Sequence, residues 1–241
     1  MTDRQGATLD RGEMLEAYAL PDRSTPRVRM NFVSSLDGAV TVDGHSGGLG
    51  DANDQLVMGV LRTLADVVLV GAGTVRAEGY GGLRLRPANV EWRRDHGLED
   101  QPRLAVVSAA LDLDPRHPFF TEAVTRPIVV THADAPDERR AALEGVCDVL
   151  VCGETSVDPH VMLAGFAAAG LPQVLCEGGP HLFGSLIQAD VVDELCLTLS
   201  PLLVAGRAGR IANADIEVRR RMRLVHVIPA GDLLLLRYRR A

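Results

Sequence analysis

Three short turns in this chain carry groups able to hold a phosphorylated ligand: Ser35-Leu-Asp-Gly38, Gly71-Ala-Gly-Thr-Val-Arg76 and Glu177-Gly-Gly-Pro180. The last follows Val174-Leu175-Cys176, an apolar run brief enough to be a buried strand. Glu177 ends that run, and two glycines and Pro180 follow. Proline suits the first helical position, where its missing N–H would have had no partner. Strand, glycine turn and helix start together leave backbone N–H groups aimed at a phosphate. An ordinary tight strand-to-helix turn would read the same way, so only the turns taken together are informative. In a parallel sheet the strand carboxyl ends line one edge, and ligands bind in the crevice there. Polar and glycine-rich turns gathered on that edge point to a nucleotide pocket.

Other residues admit two readings each. Arg62 closes a helix of apolar and small residues; it is either a cation meeting the helix dipole or a guanidinium clamp on a substrate phosphate, joined by Arg84 or Arg86. Asp37, in a Leu-Asp-Gly turn, is more often a turn former than an acid. Gly71 and Gly73 let backbone approach a cofactor phosphate, with the Thr74 hydroxyl as donor. They do not make a Rossmann fingerprint, because Arg76 stands where that motif needs glycine and position 94 is arginine rather than an acid.

Several classes are excluded. The seven histidines are scattered without H-x-x-x-H spacing, so no metal site is expected. No G-x-S-x-G, G-x-x-x-x-G-K or zinc-deaminase signature occurs. Cys147, Cys152, Cys176 and Cys196 lie in apolar runs without a C-x-x-C pair and read as reduced, buried thiols. A net charge of −7 favours no nucleic-acid partner. With no signal peptide and no apolar run of spanning length, no membrane association is expected and the expected compartment is the cytoplasm.

The elements that must position these groups follow from patterning. Residues 1–26 are polar and without period, and read as a loosely held leader; 27–241 read as one domain without repeat or linker. Strands are expected at 28–33, 67–70, 104–107, 127–131, 148–152, 174–177 and 193–200, with a closing hairpin at 222–228 and 232–238. Helices are expected from Asn53 or Asp54 to about 64, and near 136–145, 158–169 and 180–189. Residues 79–97 read as a surface loop. Alternation of strands and helices argues a mixed, mainly parallel sheet between helical layers, with an antiparallel edge from the hairpin.

Taken in order, Ser35-Leu-Asp-Gly38, Gly71–Arg76, Glu177–Pro180, Val192-Asp-Glu-Leu195 and Ser200-Pro-Leu-Leu-Val-Ala-Gly206 resemble the pyrimidine reductase of riboflavin biosynthesis, the reductase half of the bacterial bifunctional deaminase–reductase. The resemblance covers roughly 28–238 and is specific as an ordered set. It implies a dihydrofolate reductase-like α/β fold with α/β/α layers, a homodimer, and NADPH as cofactor. The implied reaction is hydride transfer to C1′ of a ribosylaminopyrimidine 5′-phosphate. By position, NADPH would meet Val33, Gly48, Gly71, Gly73, Thr74, Glu78 and Ser108, then Gly178, Gly179, Pro180, His181, Leu182, Phe183, Gly184 and Ser185. The substrate would meet Asn31, Ser46, Arg62, Arg84 and Glu177, the last accepting from the aminopyrimidine's N–H edge. Asn31 stands where bacterial bifunctional members carry lysine, as in archaeal and fungal reductases. Gly48 replaces an aromatic of the family's loop, and Glu78-Gly-Tyr80 replaces its usual Asp-Asp/Asn-Pro. Two other readings share these features: a reductase of another pterin or pyrimidine such as dihydrofolate, and a nucleotide-binding relative without turnover.

Overall fold

The computed structural model describes residues 9–241. Strands β1 (Arg27–Ser35), β2 (Val67–Gly71), β3 (Arg103–Val107), β4 (Ile128–Thr131), β5 (Asp148–Val151), β6 (Gln173–Cys176), β7 (Glu194–Ser200), β8 (Met222–Ala230) and β9 (Leu233–Arg240) form one nine-stranded sheet. Its order is β5-β4-β3-β2-β6-β1-β7-β9-β8. Every pairing from β5 to β7 is parallel; β9 runs antiparallel to both β7 and β8. The short apolar runs are central strands because both of their faces are covered. In β2, Val68 and Val70 join one core cluster and Val67 and Leu69 the other.

The first cluster takes helices α1 (Arg11–Ala17), α2 (Ala52–Leu64), α3 (Ala72–Ala77), α5 (Pro118–Thr121) and α6 (Asp137–Leu143) onto one face. The second takes α7 (Pro159–Ala168) and α8 (Pro180–Gln188) onto the opposite face through Met162, Phe166, Phe183 and Leu186. The result is a three-layer α/β/α arrangement with an antiparallel hairpin at one margin, as the strand and helix spacing implied.

Three expectations are corrected. The loose leader over 1–26 does not hold from residue 9 onward; its earlier part lies outside the described residues. Asp10 caps α1 by accepting from the Glu13 N–H at 2.9 Å, and Met14, Leu15 and Tyr18 are buried against α2 and the sheet. Two turns with three apolar residues are too short to show a period in sequence, but long enough to seal a core. The loop expected over 79–97 contains α4 (Pro87–Asp95), which starts with proline at its first turn. Its Arg93 is fully buried and donates to the carbonyls of Thr63, Ala65 and Glu99, using a cation to satisfy backbone groups that have no helical partner. Finally, α2 is capped by Asp51, which accepts from the N–H groups of Asn53 and Asp54 at 2.7 and 3.1 Å. That frees the Asp54 side chain for another use.

Candidate active site

A cleft of about 830 Å³ lies over the carboxyl ends of β1, β2, β3 and β6. The loop 41–50, α2, α3 and the start of α8 wall it in. At its centre the last turn of α2 brings Arg62 against Glu177, the residue after β6. Arg62 Nε and Nη2 donate to the two Glu177 oxygens at 2.7 and 2.6 Å, a bidentate fork. Tyr80, just beyond α3, donates its hydroxyl to Glu177 Oε2 at 2.6 Å and accepts from Arg62 Nη2 at 3.0 Å. Burial and the Glu177 charge push the Tyr80 phenol well above its ordinary range, so it stays a hydroxyl donor. Burial by itself would weaken the Arg62 cation, but Glu177 outweighs it and raises the guanidinium's pKa further. Among the described residues Arg62 Nη1 makes no hydrogen bond.

The neighbouring wall is nearly all backbone. Gly71 donates to the Gly178 carbonyl at 2.8 Å, tying the ends of β2 and β6 together. Gly178 holds φ at +109°, a conformation closed to residues with a Cβ. A Cβ on Gly179 would stand 2.7 Å from the Thr74 hydroxyl, so glycine allows this approach without displacing that side chain. No side chain caps α8 at Gly179. Its first-turn residues Pro180, His181 and Leu182 line the cleft, and a Cβ on Gly73 opposite would meet only open space. Uncapped N–H groups beside a backbone-lined hollow are the features an anion site would need.

The cleft carries further polar groups. Glu78 accepts from the Ser46 N–H at 3.1 Å and lies 3.7 Å from His45 Nδ1, so it ties the loop 41–50 to the end of α3. Asp54 on α2 accepts from the Thr198 hydroxyl at 2.6 Å. Asp37 is not a catalytic acid here. The Ser35 hydroxyl and then the Ala205 and Val204 N–H groups hold it at about 2, and it clasps the 200–206 loop to the end of β1.

Of the residues expected at the site, Asn31, Val33, Ser46, Arg62, Gly71, Gly73, Thr74, Glu78, Ser108, Glu177, Gly178, Gly179, Pro180, His181, Leu182 and Ser185 line this cleft. Gly48, Arg84, Phe183 and Gly184 do not. Arg84 is exposed, so the clamp expected from Arg62 and Arg84 is not assembled; the Arg62 fork is occupied by Glu177 instead. Gly48 is exposed next to the lining residue Gly47 and rests on Val42. Phe183 faces inward and stacks on Phe32 at 5.0 Å, while Gly184 is packed against the Asn213 backbone. Tyr80 and Asp54 are cleft residues that the sequence does not single out, and Thr198 is the donor to Asp54. Tyr80 lies in a stretch whose composition reads as surface loop, and Asp54 reads as a possible cap.

Fold and site define a class: an α/β protein of dihydrofolate reductase-like architecture with its ligand cleft on the carboxyl edge of the sheet. It superposes on a pyrimidine reductase-like protein from Corynebacterium diphtheriae with a TM-score of 0.84 at 27% identity, over 95% of this chain and 98% of that one. It superposes on dihydrofolate reductase from Enterococcus faecalis with a TM-score of 0.50 at 15% identity, over 89% and 96% of the two chains, a likeness of fold alone. The RibD C-terminal domain model matches residues 26–236, and the chain belongs to that family. Among its relatives is the 2,5-diamino-6-ribosylamino-4(3H)-pyrimidinone 5′-phosphate reductase of Methanothermobacter thermautotrophicus, 29% identical over 77% of this chain and 82% of the relative.

Among the described residues no helix is long and apolar enough to cross a membrane, and no cluster of three or more His, Cys, Asp or Glu is placed to hold a metal. The four cysteines are buried and unpaired.

Proposed function

We propose that this chain is a reductase that uses NADPH to convert a ribosylaminopyrimidinone 5′-phosphate to its ribityl counterpart. The observation that carries the reading is the meeting of the Arg62–Glu177–Tyr80 cluster and the uncapped glycine turn on one cleft wall. The residues fit a nicotinamide dinucleotide: the uncapped helix start at Gly179, His181 and Leu182 offers N–H groups to a diphosphate, and Gly71–Thr74 leaves room beside it. Bound there, that group supplies a hydride.

The chain's own residues do the rest by binding and alignment, which is sufficient when the acceptor carbon is already electrophilic. Phe32 and Val33 on β1 form the apolar floor beside Glu177. Glu177, oriented from behind by Arg62 and Tyr80, accepts from the N–H groups of the diaminopyrimidine. Arg62 Nη1 and Ser46 meet its ribose phosphate. The loop tied down by Glu78 covers this end of the cleft and limits water.

A homodimer fits the sheet margin, where β8 exposes Leu224, Val225 and Val227 beside Leu234 of β9. Sedimentation at equilibrium tests that part separately.

The reading is tested by following NADPH oxidation with three acceptors: the diamino ribosylaminopyrimidinone phosphate, its deaminated form and dihydrofolate. Turnover of either pyrimidine with formation of the ribityl product supports it. Oxidation with dihydrofolate alone reassigns the substrate, and oxidation with none contradicts it.

A further inference from the structure

Asp54 shares the cleft with Glu177 but is held differently. Both Glu177 oxygens accept from side chains, Oε1 from Arg62 and Oε2 from Arg62 and Tyr80. Asp54 accepts one hydrogen bond, from the Thr198 hydroxyl to Oδ1; among the described residues Oδ2 accepts none and no cation pairs with the group. Gly50 lies so close that a side chain there would collide with Oδ2. The loop 41–50 therefore covers this carboxyl as well. Its charged neighbours are Asp51, at the cap of its own helix, and Glu177, from the end of β6. Burial first, then these two carboxylates, raise the Asp54 pKa, with the Thr198 bond acting the other way.

We propose that Asp54 is the general acid of this site and that its carboxyl protonates the ribose ring oxygen of the bound ribosylamine. The proposal rests on the reductase reading above and adds the step that makes C1′ electrophilic. The lone pair of the exocyclic nitrogen forms the C1′=N bond as the C1′–O4′ bond breaks. The proton on Oδ2 passes to O4′, which leaves as the 4′-hydroxyl, and Asp54 remains as carboxylate. C1′ would then be open to the hydride that a bound nicotinamide would supply, and the C=N pair would return to nitrogen, which has kept its own proton. One proton is consumed per turnover, and Asp54 recovers it from solvent. Without an acid, O4′ would have to leave as an alkoxide.

Asp54→Asn keeps the size and the Thr198 contact but has no proton to give. General acids contribute about 10²–10⁴-fold, so kcat is expected to fall by about that factor, with KM and the NADPH dissociation constant changed less than about twofold. The alkaline fall of kcat in the wild-type pH profile disappears in the variant. A second readout needs no cofactor. Ring opening interconverts the α and β anomers of the substrate, so NMR exchange between them is accelerated by the wild type and returns to the uncatalysed rate in Asp54→Asn. Thr198→Val removes the contact that favours the charged form, and moves the alkaline limb to higher pH.

Unchanged kcat or unchanged anomer exchange in folded Asp54→Asn overturns the acid alone. Should Asp54→Asn fail to fold, an unmoved limb in Thr198→Val overturns it. Wild-type protein that neither oxidises NADPH with this substrate nor exchanges its anomers overturns the reductase reading and the acid together.

Discussion

The sheet carries an arginine–carboxylate cluster on each of its two edges, and the two are built for opposite ends. On the amino edge Glu194, the first residue of β7, is fully buried opposite Arg29 of β1. It accepts from Arg29 at 2.9 Å, Arg237 at 3.0 Å and Arg239 at 2.8 Å. Spare N–H groups of Arg29 and Arg237 go to the carbonyls of Ala17, Tyr18 and Ala19, which ties the end of α1 to the sheet. Arg29 and Arg237 are buried with Glu194 and turn their remaining N–H groups onto the backbone, while Arg239 is only partly buried. On the carboxyl edge Glu177 has one guanidinium and one phenol, and the cluster faces a cleft with an Arg62 nitrogen to spare. The same pair of side chains thus locks the fold where it is buried and bonded to the backbone, and can recognise a ligand where it faces a cleft.

The largest effect that would sharpen this contrast is on stability. Glu194→Gln leaves three guanidiniums facing a neutral group, and removing one partner of a buried pair costs about 3–5 kcal/mol. Chemical denaturation should show a loss of that order, with kcat of the folded fraction unchanged; lost activity at normal stability would break the comparison. The same cluster sets an acid limit. Burial would raise the Glu194 carboxyl, but Arg29 and Arg237 outweigh it and hold it at about 2 against an ordinary 4.5. A depressed carboxyl stabilises the fold above its unfolded value, so this contribution should be lost as pH falls from about 4.5 toward 2. An acid melting curve unchanged by Glu194→Gln would contradict it.

On the other edge the effects fall on catalysis. Glu177→Gln removes a charged acceptor, and hydrogen bonds to charged groups are worth about 1.5–3 kcal/mol each. With two such hydrogen bonds to the pyrimidine weakened, kcat/KM should drop about 10²-fold or more while NADPH binding stays nearly intact. Weakened NADPH binding with normal turnover would move Glu177 to the cofactor side. Arg62→Ala should raise the substrate KM by about tenfold or more on the same scale. An unchanged KM would return Arg62 to the role of a cation at a helix end. Tyr80→Phe, which removes a single hydroxyl, should cost about 0.5–1.5 kcal/mol, seen as a fall of a few-fold in kcat/KM.

The two edges are not equally legible in the sequence. Each strand is an apolar run closed by a turn, so the sheet and its parallel character can be read from local pattern. The glycine turns can be placed on the carboxyl edge because a parallel sheet puts all such ends together. Pairing at a distance cannot be read in this way. Nothing local says that Arg62 and Glu177, 115 residues apart, occupy each other rather than a ligand. Asp54 looks like a cap because a neighbouring aspartate, Asp51, is the actual one. The Arg29–Glu194–Arg237 cluster leaves no trace, since charged residues inside strands look the same whether they face solvent or one another. Helix α1 is too short to show a period, and it is held by that same hidden cluster.

Amide hydrogen exchange with and without NADPH reads both edges of the sheet in one experiment. Protection should appear in 71–74 and 178–185, while the segments around Arg29 and Glu194 stay as they were. Absence of protection at the glycine turns under saturating NADPH, or protection confined to the amino edge, would contradict a cofactor seat on the carboxyl edge.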